Sequence, residues 1–454
     1  MNNSKNINRL SLKLIIIGII GLALLIPTSM INFLINEREI RKEEAISEVN
    51  SKWGEKQILV GPILTIPYKY LESKTIDNDK VETIEKVGYL NLLPDKLNIK
   101  GEIFPEKLQR GIYEIVSYNA DLNFEGEFKI SDIKDLNISE EDIKWDDAMI
   151  SVTISDMRGI NKDIVIKWDE KELQTVSGIV SGLDLESDLK LTGEEKEVMK
   201  SGIKAKVALK KSMSENYSYS FNVNLNGGSE LNFVPAGRES NLELSSDWNN
   251  PSFRGSFLPD SRELNENGFK ANWKVLEINR NFSQAWLESG SNEILGSNFG
   301  VRLLLPVNEY QKTTRSIKYA IMLIALTFLT FFFVEVMNKI RVHLIQYVLV
   351  GLALVLFFTL LLSISEHINF NFAYLISSIA TILLVVLYSK TIFKNIKLSL
   401  LQGGILVVAY SFMFILIQLQ DYSLLIGSVG LFVILAIVMY ISRKVNWYST
   451  DKID

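Results

Sequence analysis

The chain contains no cysteine, which excludes disulfides, thiolate metal sites, iron–sulfur clusters and cysteine nucleophiles at the outset. Any exported domain must be held by its core alone. Histidine is nearly as scarce: His343 and His367 cannot furnish a three-histidine zinc site, and no HExxH string occurs. GxSxG, P-loop and GxGxxG strings are also missing, so no catalytic, cofactor or metal residue is expected. A formal net charge of −5 over 454 residues lacks the basic footprint that phosphate backbones require. Nucleic acid is not an expected partner.

What is present is very unevenly distributed. Only 22% of residues are charged against 47% hydrophobic, and the charges crowd between Glu37 and Lys318. A helix needs roughly 20 apolar residues to cross the hydrocarbon core. The charge-free runs are Leu14 to Asn36 (23 residues), Tyr319 to Val334 (16), Val342 to Ser365 (24), Ile368 to Ser389 (22), Leu398 to Gln420 (23) and Tyr422 to Ser442 (21). The short second run is flanked by Lys318 and Lys339, which can snorkel, so six spans are predicted.

Lys5, Arg9 and Lys13 precede the first span with no acidic residue, which places the N-terminus in the cytoplasm. Lys339 and Arg341, then Lys390, Lys394 and Lys397, then Arg443 and Lys444 all fall inside on the same count. The two short outer loops carry only Glu366 and His367, and then Asp421. Both termini are therefore expected in the cytoplasm. Pro27 interrupts the first run, but apolar residues continue to Ile35 and no small-x-small site follows, so an uncleaved anchor is expected.

The expected organisation is a cytoplasmic N-terminus and first helix over 1–36, an extracytoplasmic domain over 37–318, a five-helix bundle over 319–442 and a cytoplasmic tail over 443–454. In fold class this is a membrane protein with six transmembrane α-helices, one N-terminal and five C-terminal. A large, mainly β domain is inserted after the first. Its entry segment, from Glu37, continues the helical pattern: Glu37 and Arg41 stand at i, i+4, and Ala45, Val49 and Trp53 share a face. From Gln57 the period becomes two. Tyr217, Tyr219, Phe221, Val223 and Leu225 alternate with Ser and Asn; Asn226-Gly227-Gly228 then reads as a turn before Leu231 and Phe233, giving a hairpin. Ala120, Leu122 and Phe124 alternate, Gly126 breaks the run, and Phe128 and Ile130 resume it; Leu242 and Leu244 form another short set. Aromatic-rich alternating strands suggest a two-sheet or otherwise closed β architecture, with Glu194 to Lys204 as a helical insertion.

Three arginine strings stand out: RGIY at Arg110, SDMRGI around Arg158 and PSFRGSFLP around Arg254. Glycine at a turn with arginine bonding nearby carbonyls accounts for each without a ligand. The functional alternative is a shared anion-binding groove lined by Arg110, Arg158 and Arg254.

At these strings the chain resembles the CreD family of bacterial inner-membrane proteins. The likeness spans nearly the whole chain. It is carried by WGEKQILVGPILTIPY from Trp53, RGIY, SDMRGI, WNNPSFRGSFLP, GFKANWKVLEINRNF, PVNEYQKTTRSIKYAIMLIALTFLTFF, HLIQYVLVGLALVLFFTLLLSISEH and LQDYSLLIGSVGLFVILAIVMYISRKVNWY. One departure is Leu344, where the family pattern has proline after the histidine that opens the third span. The resemblance implies an inner-membrane location, membership of a two-component regulon and a role in envelope integrity and stress tolerance, including tolerance to β-lactams. It implies no reaction.

Ionisable residues within a bilayer mark function by default, yet Glu335, His343, Glu366, His367 and Asp421 all fall at or beside span ends. Interfacial solvation is expected there, helped for Glu335 by Lys339 at i+4. Glu366, His367 and Asp421 form the best polar set, a candidate contact between bundle and exported domain. Small residues such as Gly351, Gly403, Gly427 and Gly430 suit close helix packing, and Trp447 with Tyr448 suits an interfacial anchor. Besides the bilayer, the expected partner is an envelope component or a protein bound through the β domain. A permease-like subunit of a transport complex and an unrecognised wall- or lipid-modifying enzyme are the alternatives.

Overall fold

The computed structural model describes residues 9–76, 80–180, 185–186, 198–199, 201–287, 294–305, 309–419 and 422–443. The chain divides into two compact units, one formed by Met1–Glu43 with Val307–Asp454 and the other by Glu44–Pro306.

The first unit is helical. α1 (Arg9–Ala23) and α2 (Leu25–Trp53) meet at Leu24, three residues before Pro27. Proline donates no backbone hydrogen bond and its ring crowds the carbonyl four residues back, which here is Ala23. The remaining helices are α3 (Glu309–Lys318), α4 (Ala320–Asn338), α5 (Leu344–Ser365), α6 (Phe370–Phe393), α7 (Ile396–Gln418) and α8 (Ser423–Ser442). Among the described residues six helical segments are long and apolar enough to span a membrane: Leu12–Trp53 and α4 to α8. One lies near the N-terminus and five follow the β region, as the charge-free runs predict.

Side chains close the helix starts that hydrocarbon would leave bare. Asn369 accepts from Asn371 N–H at the start of α6 and Asn395 from Lys397 N–H at the start of α7, each at 2.9 Å. At α5, His343 Nδ1 accepts from Ile345 N–H (3.3 Å) while Gln346 Oε1 accepts from His343 N–H (2.9 Å). This reciprocal cap satisfies the opening turn of α5 with Leu344 as its first residue.

Glu335 departs from the expected interfacial solvation. It is 9% exposed, and its partners are Lys13 Nζ from α1, the Tyr347 hydroxyl from α5 (3.0 Å) and Val342 N–H (3.2 Å), rather than Lys339 one turn on. Lys339 instead ends α4 in a left-handed conformation, φ 52°. One carboxylate thus ties three helices, and α4 extends through it to Asn338.

The second unit is built from strands. β1 (Gln57–Ile76) pairs with β2 (Lys80–Leu92), and β3 (Lys96–Arg110) with β4 (Tyr113–Lys129). β5 (Met149–Ile154), β6 (Val165–Trp168), β7 (Lys171–Gln174) and β8 (Val176–Ser177) follow. The two-residue β9 (Leu185–Glu186) and β10 (Val198–Met199) pair with each other, before β11 (Gly202–Lys206). Then come β12 (Asn216–Gly228), β13 (Glu230–Phe233), β14 (Glu239–Ser246), β15 (Pro251–Gly255), β16 (Ser261–Asn265), β17 (Gly268–Leu276), β18 (Ala285–Leu287) and β19 (Phe299–Leu303). An eight-stranded sheet has the order β16-β17-β14-β3-β4-β12-β6-β7. A nine-stranded sheet has β15-β19-β13-β1-β5-β11-β8, with β2 on β1 and β18 on β2. Their inner faces form one core, joined by Phe124 with Phe233 (6.5 Å between ring centroids) and Trp273 with Phe299 (5.8 Å).

Three local expectations are corrected. Asn226-Gly227-Gly228 is no hairpin turn: β12 runs through it on β4, and β13 belongs to the other sheet, beside β1 and β19. Gly227 leaves room for the Tyr118 ring, whose hydroxyl donates to Glu230 O at 2.9 Å. Gly126 does not break β4 either; a Cβ there would lie 2.6 Å from the Tyr219 hydroxyl, which donates to Lys96 O. The described part of Glu194 to Lys204 is extended, because Ile203 and Ala205 bury alternately while β11 hydrogen-bonds to β5.

Removing one partner of the Glu335 cluster strands a charge in an apolar bundle. Lys13→Met alone is expected to cost up to about 3–5 kcal/mol, whereas Lys13→Met with Glu335→Leu stays near wild type. Thermal unfolding of the detergent-solubilised chain reads the difference.

Candidate functional site

Two of the three arginine strings converge on the end of α2. Arg158 follows β5 and is gripped by Asp156, with Nε and Nη2 donating to its two carboxylate oxygens at 2.9 Å each. Its Nη1 donates to Ser51 O (2.6 Å) and Nη2 also reaches Glu55 (3.1 Å). Gly159 beside it lies so close to Asn226 O that a Cβ would stand 2.2 Å away, so no other residue fits there. Gln57 closes the seam, its amide donating to Asp156 O and Asn226 O at 3.0 Å. Arg110 ends β3 at the tip of its hairpin and donates to Glu48 at 2.9 Å.

Arg254 is not brought to this seam. It is exposed on β15 and its Nε donates to Ser252 Oγ at 3.4 Å. Through the register Arg254–Gly300–Asn232–Ile58, it shares a row with Ser155, four strand spacings or about 19 Å away. Arg110 and Arg158 both pin the last turns of α2 to the strands.

The Asp156 carboxyl has two opposing influences. Burial pushes it up, but hydrogen bonds from the Arg158 guanidinium and from the Glu55 and Arg158 backbone N–H groups outweigh this and hold it below the ordinary 3.8.

The outer face of the eight-stranded sheet holds a second arrangement that the arginine strings did not announce. One cross-strand row reads Asn272, Glu243, Lys100, Asn123, Asn222, and the next reads Lys274, Asn241, Asn98, Glu125, Ser220. Asparagine is disfavoured in strands. Asn241 donates to Asn98 at 3.0 Å, Asn272 to Ser261 at 3.1 Å, and Asn123 faces Asn222 in the open. Among these amides Lys96 pairs with Glu127, Lys270 with Glu243 and Lys274 with Glu239, at 2.7 to 2.8 Å. A depression of about 500 Å3 opens here, rimmed by Asn98, Asn241, Asn272, Lys100, Glu125 and Leu276. It is of a size to take a small ligand. The signal in the sequence was the alternation of Asn222, Asn224 and Asn226 with buried residues, which marks one face of β12. Among the described residues no His, Asp and Glu group is placed to hold a metal ion.

In the helical unit Glu366 receives Arg38 Nε at 3.6 Å and the Tyr310 hydroxyl at 3.2 Å. His367 is exposed beside it, while Asp421, Trp447 and Tyr448 lie outside the described residues. Glu309, on α3, accepts from Phe370 N–H at 3.1 Å and so caps α6. Deeper in, Gln402 of α7 is fully buried with both amide atoms unpartnered, and so is Ser377 Oγ of α6.

Because the Asp156 carboxyl titrates below its unfolded value, its stabilisation is present above pH 3.8 and is lost as pH falls through the folded value. Asp156→Asn is therefore expected to lower thermal stability at pH 7, with the gap from wild type narrowing below pH 3.8. Gln402→Leu, which removes an orphan amide while keeping shape, is expected to raise stability by about 1–3 kcal/mol in detergent unfolding.

Comparison with known proteins places this architecture. A family model described as "Inner membrane protein CreD" matches residues 9–448. The inner membrane protein CreD of Escherichia coli (strain K12) is 33% identical over 432 residues, covering 94% of this chain and 91% of that protein. With six apolar helices, a β-rich unit between the first and the last five, and this match over nearly its whole length, the chain belongs to the CreD family of inner membrane proteins.

Proposed function

We propose that the chain maintains cell envelope integrity and takes part in the envelope stress response as a binding protein, without catalysing a reaction. The β unit faces outward and recognises an envelope component or a protein partner, while the helices anchor it with both termini in the cytoplasm. The depression in the outer face of the eight-stranded sheet carries this reading. It is lined by the amides Asn98, Asn241, Asn272 and Asn279 and by charges of both signs, a lining suited to holding a ligand and poor in groups tuned for proton transfer. A general acid needs a carboxyl raised toward neutral pH. In the β unit the displaced carboxyls, Glu48, Glu85, Asp147, Asp156, Glu239 and Glu243, are all held down, most of them by a lysine hydrogen bond. The outward placement is supported by the basic clusters at Lys339 and Arg341, at Lys390 to Lys397 and at Arg443.

A chain without cysteine suits site-directed labelling. Glu141→Cys is expected to react with a membrane-impermeant maleimide in intact spheroplasts, and Arg443→Cys only after lysis; the reverse pattern would overturn the topology. Deleting the gene is expected to change tolerance to β-lactams, and the wild-type chain to restore it. Unchanged tolerance in the deletion strain would overturn the envelope role.

A further inference from the structure

We infer that the depression between β3, β14 and β17 is a binding site for an uncharged, hydroxyl-rich glycan segment. The inference deepens the proposed function and rests on its reading of the β unit as the part that binds. Four observations carry it. The rim is built from Asn98, Asn241 and Asn272, each able to donate and accept, as a sugar hydroxyl also does. Asn241 and Asn98 face each other on adjacent strands about 4.8 Å apart, and Asn272 stands on the next strand in the neighbouring row, so the amides offer hydrogen bonds over an area rather than at a point. The row of Asn272 passes Glu243 and Lys100 and ends on the exposed pair Asn123 and Asn222, so a chain longer than one residue meets further amides outside the depression.

The fourth observation is the electrostatics. Lys96, Lys270 and Lys274 are each paired to a neighbouring carboxylate on the same face. Lys100 supplies one further positive charge at the rim, and Glu125 and Asp260 two negative ones. With charges of both signs interspersed and only a small negative excess, such a lattice disfavours a polyanion and offers no concentrated field to a polycation, so its complement is a neutral partner whose affinity comes from hydrogen bonding. Leu276, 40% exposed at one end, and the lysine methylenes provide apolar surface for the C–H face of a sugar ring.

The full-length chain in detergent is titrated with neutral hexasaccharides, one of β-1,4-linked N-acetylglucosamine and one of β-1,4-linked glucose, with oligogalacturonate as the acidic control. Binding to at least one neutral sugar, and weaker binding to the acidic one, is expected. Two variants test the place: the triple change Asn98→Ala, Asn241→Ala, Asn272→Ala removes the amides, and Asn98→Trp, a good strand former, fills the depression. Each is expected to weaken binding at least tenfold at unchanged thermal stability; should the triple variant unfold, Asn98→Trp alone decides. No neutral binding, preference for the acidic sugar, or full affinity in Asn98→Trp overturns the inference. In the deletion strain, full rescue by Asn98→Trp overturns the site while leaving the envelope role standing; a deletion strain without a phenotype counts against the envelope role instead.

Discussion

Everything in the β unit depends on contact between the inner faces of its two sheets. Without disulfides, nothing covalent closes the sandwich, and the long hairpins β1–β2 and β3–β4 would splay if that contact failed. Its aromatic rings come from both sheets: Phe124, Trp273 and Phe269 from one, Phe233, Phe299 and Phe253 from the other. With the inner faces committed to the core, recognition is left to the outer ones. The amide rows are possible because the aromatic rows lie one residue away, on the opposite side of the same strands.

The large divisions were legible in the sequence because they rest on composition. Six charge-free runs became six apolar helices, and Glu37 and Arg41 do pair at 2.6 Å one turn apart. Alternation revealed strands such as β4, β12 and β14. What it could not reveal was which strand lies beside which. Asn226-Gly227-Gly228 has the residues of a tight turn, yet those glycines serve close approach of Tyr118 within a continuous strand. Gly126 misleads for the same reason, since a glycine that makes room for a distant tyrosine is indistinguishable locally from one that breaks a strand.

The candidate sites were legible to a similar depth. Two of the arginine strings meet a common partner, the end of α2, which lies far off in sequence; of their contacts only Asp156 with Arg158 is local. Glu335 is the clearest case. Its helical neighbour Lys339 was visible at i+4, while Lys13, more than three hundred positions away, holds it. Long-range pairs of this kind follow from helix packing, which periodicity within one helix does not encode. The asparagine rows were half visible on β12, and became a surface only when β3, β14 and β17 were set beside it.

A single residue, Ser229, separates the end of β12 from the start of β13, and those strands belong to different sheets. Its carbonyl accepts from Leu303 N–H at 2.8 Å, while Gly228 N–H donates to Glu55 O at 2.9 Å. No slack exists there to absorb sliding. The two layers are geared together, so a strain applied along the strands of one reaches the other without passing through a loop. A pull along β12 is therefore handed to β13 through one residue and two hydrogen bonds.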